Sequence, residues 1–295
     1  MNAAPQGLQN LRSISLSGLN ISPALGVAWG AFVILYASPF IALATDWWTM
    51  DDAAHGLLLF PLALWLGWKQ GIDLPAREQP VLGSAIVGAA VVLNYLADLA
   101  AEVFSLRVSM LMAAAGLVVF SLGFRQLLRW WLPALLLGLC IPLPDIVLSA
   151  IAFPLQIKAS AIGATMLEWR NVPVILSGNV IQLPGQTLFV TEACSGLRSL
   201  SALIALGLVV SGLWLKRPAL RFLLIVLSIP VAVAVNGFRV FLTGYLIFFS
   251  DPALATGFMH LTEGWILFLS AFAILGWLTA LFARGERWLD GRVHA

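Results

Sequence analysis

A chain of 295 residues that is 61% hydrophobic and only 10% charged, with a mean hydropathy of +0.96, cannot hide its apolar surface in a water-soluble fold, where about 25% of residues are charged. Lipid is therefore the solvent for much of it. A formal net charge of +2 lacks the electrostatic footprint of a nucleic-acid-binding protein, so no nucleic-acid partner is expected.

The chain opens with a polar stretch, residues 1–21, whose only charge is Arg12. It reads as a mobile tail rather than a cleavable signal, because the apolar run behind it is too long for a signal-peptide core. A membrane-crossing helix needs about 20 apolar residues. Eight stretches approach that: 24–44, 55–68, 81–100, 103–123, 130–147, 195–215, 219–249 and 261–283. The expected fold is an all-α polytopic membrane protein of about eight transmembrane helices, forming one domain over 22–283 with a cytoplasmic tail at 284–295. The second stretch is short and contains Pro61. The fifth holds Pro133, Pro142 and Pro144, so its outer end should unwind. The seventh is long and carries Pro230, Asn236, Gly237 and Arg239, so it is expected either to kink or to end beyond the bilayer.

Loop charge orients the spans. With eight crossings, one set of loops carries eleven basic residues, among them Lys69, Arg77, Arg125, Arg129, Lys216 and Arg217, whereas the other carries only Arg107, Lys158 and Arg170. The positive-inside rule places the first set, and with it both termini, in the cytoplasm. Segment 148–193 then lies outside. Its first part, 146–170, has apolar residues at helical spacing and reads as a small helix along the membrane surface. Its second part reads as a β-meander: Val172, Val174 and Leu176 alternate, Ser177-Gly178-Asn179 turns, Val180 to Leu183 follow, and Pro184-Gly185 turns again before Leu188 to Val190.

Two cysteines make no disulfide framework. Cys140 sits among leucines and reads as packing. Cys194 stands at the outer start of the sixth span, where the positive end of the helix dipole favours thiolate. Arg198, four residues on, shares its helical face. Arg239, in Asn236-Gly237-Phe238-Arg239, lies near the outer end of the seventh span, and His260 opens the eighth with Glu263 three residues behind it. Judged singly, each has a plainer reading: a packed cysteine, a snorkelling arginine, an interfacial histidine, a glutamate capping its own helix. Jointly, three helices deliver a sulfur, a guanidinium and an imidazole to one face. His55, at the start of the second span, is a fourth candidate at that face.

The run Glu192-Ala193-Cys194-Ser195-Gly196-Leu197-Arg198-Ser199-Leu200 resembles the signature of exosortases, bacterial relatives of archaeosortases. Asn236-Gly237-Phe238-Arg239 resembles the family's arginine motif, His260 occupies the place of its histidine, and His55-Gly56 resembles its early histidine-glycine segment. Ile141-Pro142-Leu143-Pro144, Phe153-Pro154-Leu155-Gln156 and Gly178-Asn179-Val180-Ile181 resemble the lead-in to the cysteine. The resemblance implies a membrane-embedded cysteine peptidase or transpeptidase of the bacterial cytoplasmic (inner) membrane, working at the extracytoplasmic face without a cofactor. Its partners would be exported proteins with a C-terminal sorting tail: a Pro-Glu-Pro motif, a transmembrane helix and a basic cluster. The resemblance makes Cys194 the nucleophile, Arg239 the transition-state stabiliser and His260 the acid/base, with Glu192, Arg198, Asn236, Glu263 and His55 as substrate or supporting residues.

The residues leave other readings open. Cys194, His260 and Glu263 are ligand types that suit zinc, although no HExxH-type pair or CxxC is present. Arg198, Arg239 and Glu263 could line a transport pathway, but clustering at one face rather than at the midplane argues against it. A lipid acyltransferase working through a cysteine thioester and a structural scaffold complete the set.

Overall fold

The computed structural model describes residues 23–50, 53–73, 76–190, 197–249 and 258–293, with backbone alone at 24, 197–201, 258–265, 268 and 291–293. The chain divides into two compact units, 1–144 and 145–295. Five helices among the described residues are long and apolar enough to cross a membrane: Leu25–Thr49, Pro80–Leu99, Val103–Leu122, Asp145–Trp169 and Pro218–Phe249. The protein is thus helical and polytopic.

The first unit contains α1 (Pro23–Thr49), α2 (Gly56–Gln70), α3 (Pro80–Leu99), α4 (Val103–Leu122), α5 (Phe124–Arg129) and α6 (Trp131–Leu139). α3 and α4 form a hairpin. Glu102 caps α4, its carboxylate accepting from the backbone N–H groups of Phe104 at 2.9 Å and Ser105 at 2.7 Å. That satisfies two donors left open by the helix start. α4 is tied to α1 by an ion pair between Arg107, whose side chain is 6% exposed, and Asp46. A charge this buried is stable only when paired.

α2 and α6 pack side by side in opposite directions. At one end Gln126 donates to Gly71 O at 3.0 Å and accepts from Asp73 N at 2.9 Å, and Trp130 Nε1 donates to Gly71 O at 3.1 Å. At the other end Trp47 Nε1 donates to Cys140 O at 2.8 Å, and His55 Nε2 lies 2.9 Å from Leu139 O. The expected fifth span, 130–147, is not one helix. It stops at Leu139, and a new helix starts only at Asp145. Pro142 and Pro144 supply no backbone donors and bar the helical conformation at the residues before them.

The second unit contains α7 (Asp145–Trp169), β1 (Ile175–Ser177), β2 (Val180–Leu183), β3 (Gln186–Phe189), α8 (Leu197–Trp214), α9 (Pro218–Phe249) and α10 (Phe258–Val293). The small surface helix expected at 146–170 is instead the 25-residue α7. It packs lengthwise on α9 in the same direction: Ile162 meets Gly237, Gly163 meets Val240, and Leu167 meets Gly244. Five of its seven buried residues, Ala152, Ala159, Ser160, Gly163 and Ala164, are small, so the backbones approach closely.

The meander has the expected order β1-β2-β3, antiparallel throughout, with Ser177 opposite Val180 and Leu183 opposite Gln186. Each hairpin therefore turns on two residues. Gly178 at φ 62° and Gly185 at φ 76° take the left-handed positions that a Gly-first and a Pro-Gly turn demand. Ile181 and Leu183 point inward to pack with Leu167, Val172, Val190 and Val240. A second core joins α8, α9 and α10 through Leu203, Leu224, Ala232, Ala271 and Leu275. α9 runs unbroken through Pro230.

Only three residues join α8 to α9. α10 closes this end: the Glu286 carboxylate accepts from the backbone N–H groups of Lys216 at 3.0 Å and Arg217 at 2.7 Å, and Arg217 pairs with Asp290 at 3.1 Å. The stretch expected as a cytoplasmic tail from 284 onward is, through Val293, the continuation of α10.

Candidate active site

The staple at Lys216, Arg217 and Glu286 gives α8, α9 and α10 a common origin. At 1.5 Å of rise per residue, Leu197 lies about 27 Å along α8 from Leu215, Arg239 about 33 Å along α9 from Arg217, and His260 about 39 Å along α10 from Glu286. The helix segments carrying the three motifs therefore lie at the same end of the second unit, far from the staple. The meander lies at that end too, since it follows the C-terminus of α7, which runs parallel to α9.

Arg239 is the fully described member of the catalytic candidates. It is half-buried and borders a small cleft with Leu188, Phe189 and Val190 of the meander and Val240 and Thr243 of α9. Thr243 Oγ1 donates to the Arg239 carbonyl at 3.0 Å. Asn236, one turn earlier, is buried. Gly237 between them abuts α7: a Cβ there would fall 2.6 Å from Ile162 Cγ2. The motif Asn236-Gly237-Phe238-Arg239 thus combines a close approach to Ile162 of α7 with an arginine that borders the cleft beside the meander.

Cys194 and Glu192 lie outside the described residues. So do the side chains of Arg198, in the first turn of α8, and of His260 and Glu263, in the first two turns of α10. Val190 and Leu197 are the described residues that flank 191–196. Three residues separate Val190 from Cys194, a reach of at most about 14 Å over four Cα steps. Among the described residues no group of three His, Cys, Asp or Glu side chains is placed to hold a metal ion, and the three named by the zinc reading fall outside them.

His55 belongs to the first unit, where its imidazole and the Trp47 indole serve the carbonyls at the broken end of α6. A 2.9 Å contact with a carbonyl oxygen requires Nε2 to carry the proton. Gly56 beside it faces the Trp47 ring, whose Nε1 would lie 2.3 Å from a Cβ at that position. The His55-Gly56 pair therefore has a local structural task, satisfying helix-end carbonyls that Pro142 and Pro144 leave without helical partners.

Sequence reasoning missed two features near Arg239. Phe238, Phe241, Tyr245 and Phe249 form a continuous aromatic ladder along α9, with successive ring centroids 5.8, 5.7 and 4.6 Å apart, and Arg170 lies over the Tyr245 ring at 5.7 Å. The spacing of 3 to 4 residues was visible, but it reads equally as lipid-facing surface. The second is Asn179, whose side chain holds the end of β3: Nδ2 donates to Val190 O at 3.1 Å.

The chain matches a protein-family model described as Transmembrane exosortase (Exosortase_EpsH) over residues 47–277. No match was found among curated proteins or among solved structures.

Proposed function

Because the chain belongs to the transmembrane exosortase family, we propose that it is a membrane-embedded cysteine peptidase or transpeptidase that cleaves C-terminal sorting tails of exported proteins. The observation that supports this reading is the common end of α8, α9 and α10, where the helix segments bearing the cysteine, arginine and histidine motifs lie about 27 to 39 Å from the Glu286 staple.

In this reading Cys194 attacks the scissile carbonyl as a thiolate. A free thiol has a pKa of about 8.5, so the helix start and nearby cations must favour ionisation. The attack gives a tetrahedral oxyanion that the Arg239 guanidinium stabilises, a contribution of about 3 kcal/mol for one well-placed donor. As the C–N bond breaks, His260 protonates the leaving amine and a thioester remains on Cys194. His260 then takes a proton from water or an acceptor nucleophile, which attacks the thioester and frees the thiolate. Glu263, Arg198, Glu192 and Asn236 would support these groups.

The substrate in this reading carries a Pro-Glu-Pro motif, a hydrophobic helix and a basic cluster. Its basic end stays in the cytoplasm by the same charge rule that orients the enzyme, so its motif emerges at the extracytoplasmic face of the bacterial inner membrane. In this reading loop charge places both termini and the eleven basic residues in the cytoplasm, with one transmembrane domain of about eight crossings over 22–283.

The test is processing of a tailed substrate in cells producing Cys194→Ala, Arg239→Lys, Arg239→Ala or His260→Ala at matched levels. Cys194→Ala is expected to abolish cleavage, and Arg239→Lys to lose most of it because an ammonium cannot reproduce the guanidinium fork. Cleavage by Cys194→Ala at the parent rate would overturn the reading.

A further inference from the structure

Resting on that reading, we propose that Asn179, backed by Gln156, is a positioning residue that fixes the strand end from which the chain runs to Cys194. Asn179 occupies the second position of the β1–β2 turn, opened by the left-handed Gly178. Its backbone carbonyl accepts from Val190 N at 2.9 Å. Its side-chain Nδ2 donates to Val190 O at 3.1 Å and makes a long 3.5 Å contact with Gln156 Oε1. One residue therefore holds both backbone polar groups of Val190.

The first of these bonds extends the β2–β3 ladder, whose outermost pair is Val180 with Phe189. The second does not: the Val190 carbonyl lies beyond that pair and is met by the Asn179 amide. Val190 is buried at 1% exposure, packed with Leu167, Val172, Ile181 and Val240, and borders the same cleft as Arg239. Gln156 is itself buried at 6% exposure, on α7, which packs against α9. A buried amide aimed at Asn179 holds the clamp from the helix that also sets the position of Gly237.

The clamp therefore fixes Val190, the last described residue before 191–196, at the cleft that Arg239 borders. Holding two reacting groups in register is worth far more to rate than to binding, and a misplacement of about 1 Å can cost about 100-fold. Asn179→Asp keeps the size of the side chain but puts only acceptors opposite the Val190 carbonyl. The geometry thus assigns Asn179 an effect on turnover rather than on substrate affinity.

The experiment uses the full chain in liposomes, in a Cys140→Ala background so that Cys194 is the one thiol. Two quantities are read for Asn179→Asp, Asn179→Ala and Gln156→Ala: kcat and KM on a tailed reporter protein, and the pH profile of Cys194 alkylation by iodoacetamide. Asn179→Asp is expected to lower kcat by about tenfold or more with KM within about threefold, and to displace the alkylation profile; Gln156→Ala should act in the same direction but less. Parent-like kcat and profile in Asn179→Asp overturn the proposal. If both Asn179 variants fail to accumulate, Gln156→Ala decides by the same two readouts. Activity surviving in Cys194→Ala would instead sink the nucleophile assignment, while the alkylation profile would still report whether Asn179 sets the surroundings of that thiol.

Discussion

Gly237 of α9 and Ile162 of α7 meet so closely that a Cβ on Gly237 would come within 2.6 Å of Ile162 Cγ2 and 2.7 Å of its Cβ. Two residues further along α9 stands Arg239, so the contact that joins the two helices also sets the height of the guanidinium. The glycine between Asn236 and Arg239 is here a packing requirement, answered by a branched side chain on a neighbouring helix.

Gly237→Ala should therefore force α7 and α9 apart, at a cost of about 1–3 kcal/mol from overpacking, and should lower substrate processing by shifting Arg239. Thermal unfolding in detergent and the processing rate check the two effects. Gly276→Ala is the control. A Cβ there meets nothing within 4 Å, and replacing a helical glycine by alanine favours the helix by up to about 1 kcal/mol. Equal stability of the two variants would contradict the packing argument.

The cap on α4 should make stability depend on pH. Hydrogen bonds from the Ser105 hydroxyl and from the backbone N–H groups of Ser105 and Phe104 hold the Glu102 carboxyl below its ordinary value of 4.5. The folded state thus prefers the ionised form. Its contribution is complete above the unfolded value and is lost as pH falls through the lower folded value. Glu102→Ala should cost about 1 kcal/mol near neutrality. The gap in thermal midpoint between parent and variant should hold from pH 7 to about 5 and close below 4.5. A gap that persists unchanged into acid would exclude the charged cap.

The direction of α7 makes a topological prediction. α9 leaves the α8–α9 connection, whose Lys216, Arg217 and Arg221 belong on the cytoplasmic side. α7 runs parallel to α9, so its C-terminus ends on the opposite side from the α8–α9 connection. In a Cys140→Ala, Cys194→Ala background, a membrane-impermeant maleimide should label Asn171→Cys in intact spheroplasts and Lys216→Cys only in inside-out vesicles. Labelling of both from one side would contradict a parallel crossing of α7 and α9.

The family and part of the fold were legible without coordinates. Composition alone demanded a lipid solvent. The strands at 175–189 were legible because side-chain alternation and the Gly178 and Pro184-Gly185 turns are local signals, carried by adjacent residues. Pro142 and Pro144 marked a helix break for the same reason, since a missing donor acts on its own turn. The motif around Cys194 pointed to the transmembrane exosortase family, and the family match over residues 47–277 agrees.

What the tertiary structure alone decided are contacts between residues far apart in the chain. The stretch 146–170 reads as a surface helix because Gln156, Lys158, Glu168 and Arg170 interrupt its apolar spacing; the alanine, glycine and serine on its buried face score weakly as core, yet they let two backbones approach. Glu286 looks like one charge in a polar tail until it is seen accepting from Lys216 N and Arg217 N, and Asn179 looks like a turn residue until its amide meets Val190. Local patterning determines which segments become helix, strand or break, because those preferences act within a few residues. Which partner a buried carboxylate or amide finds depends on how helices separated by tens of residues pack, and only the folded chain sets that.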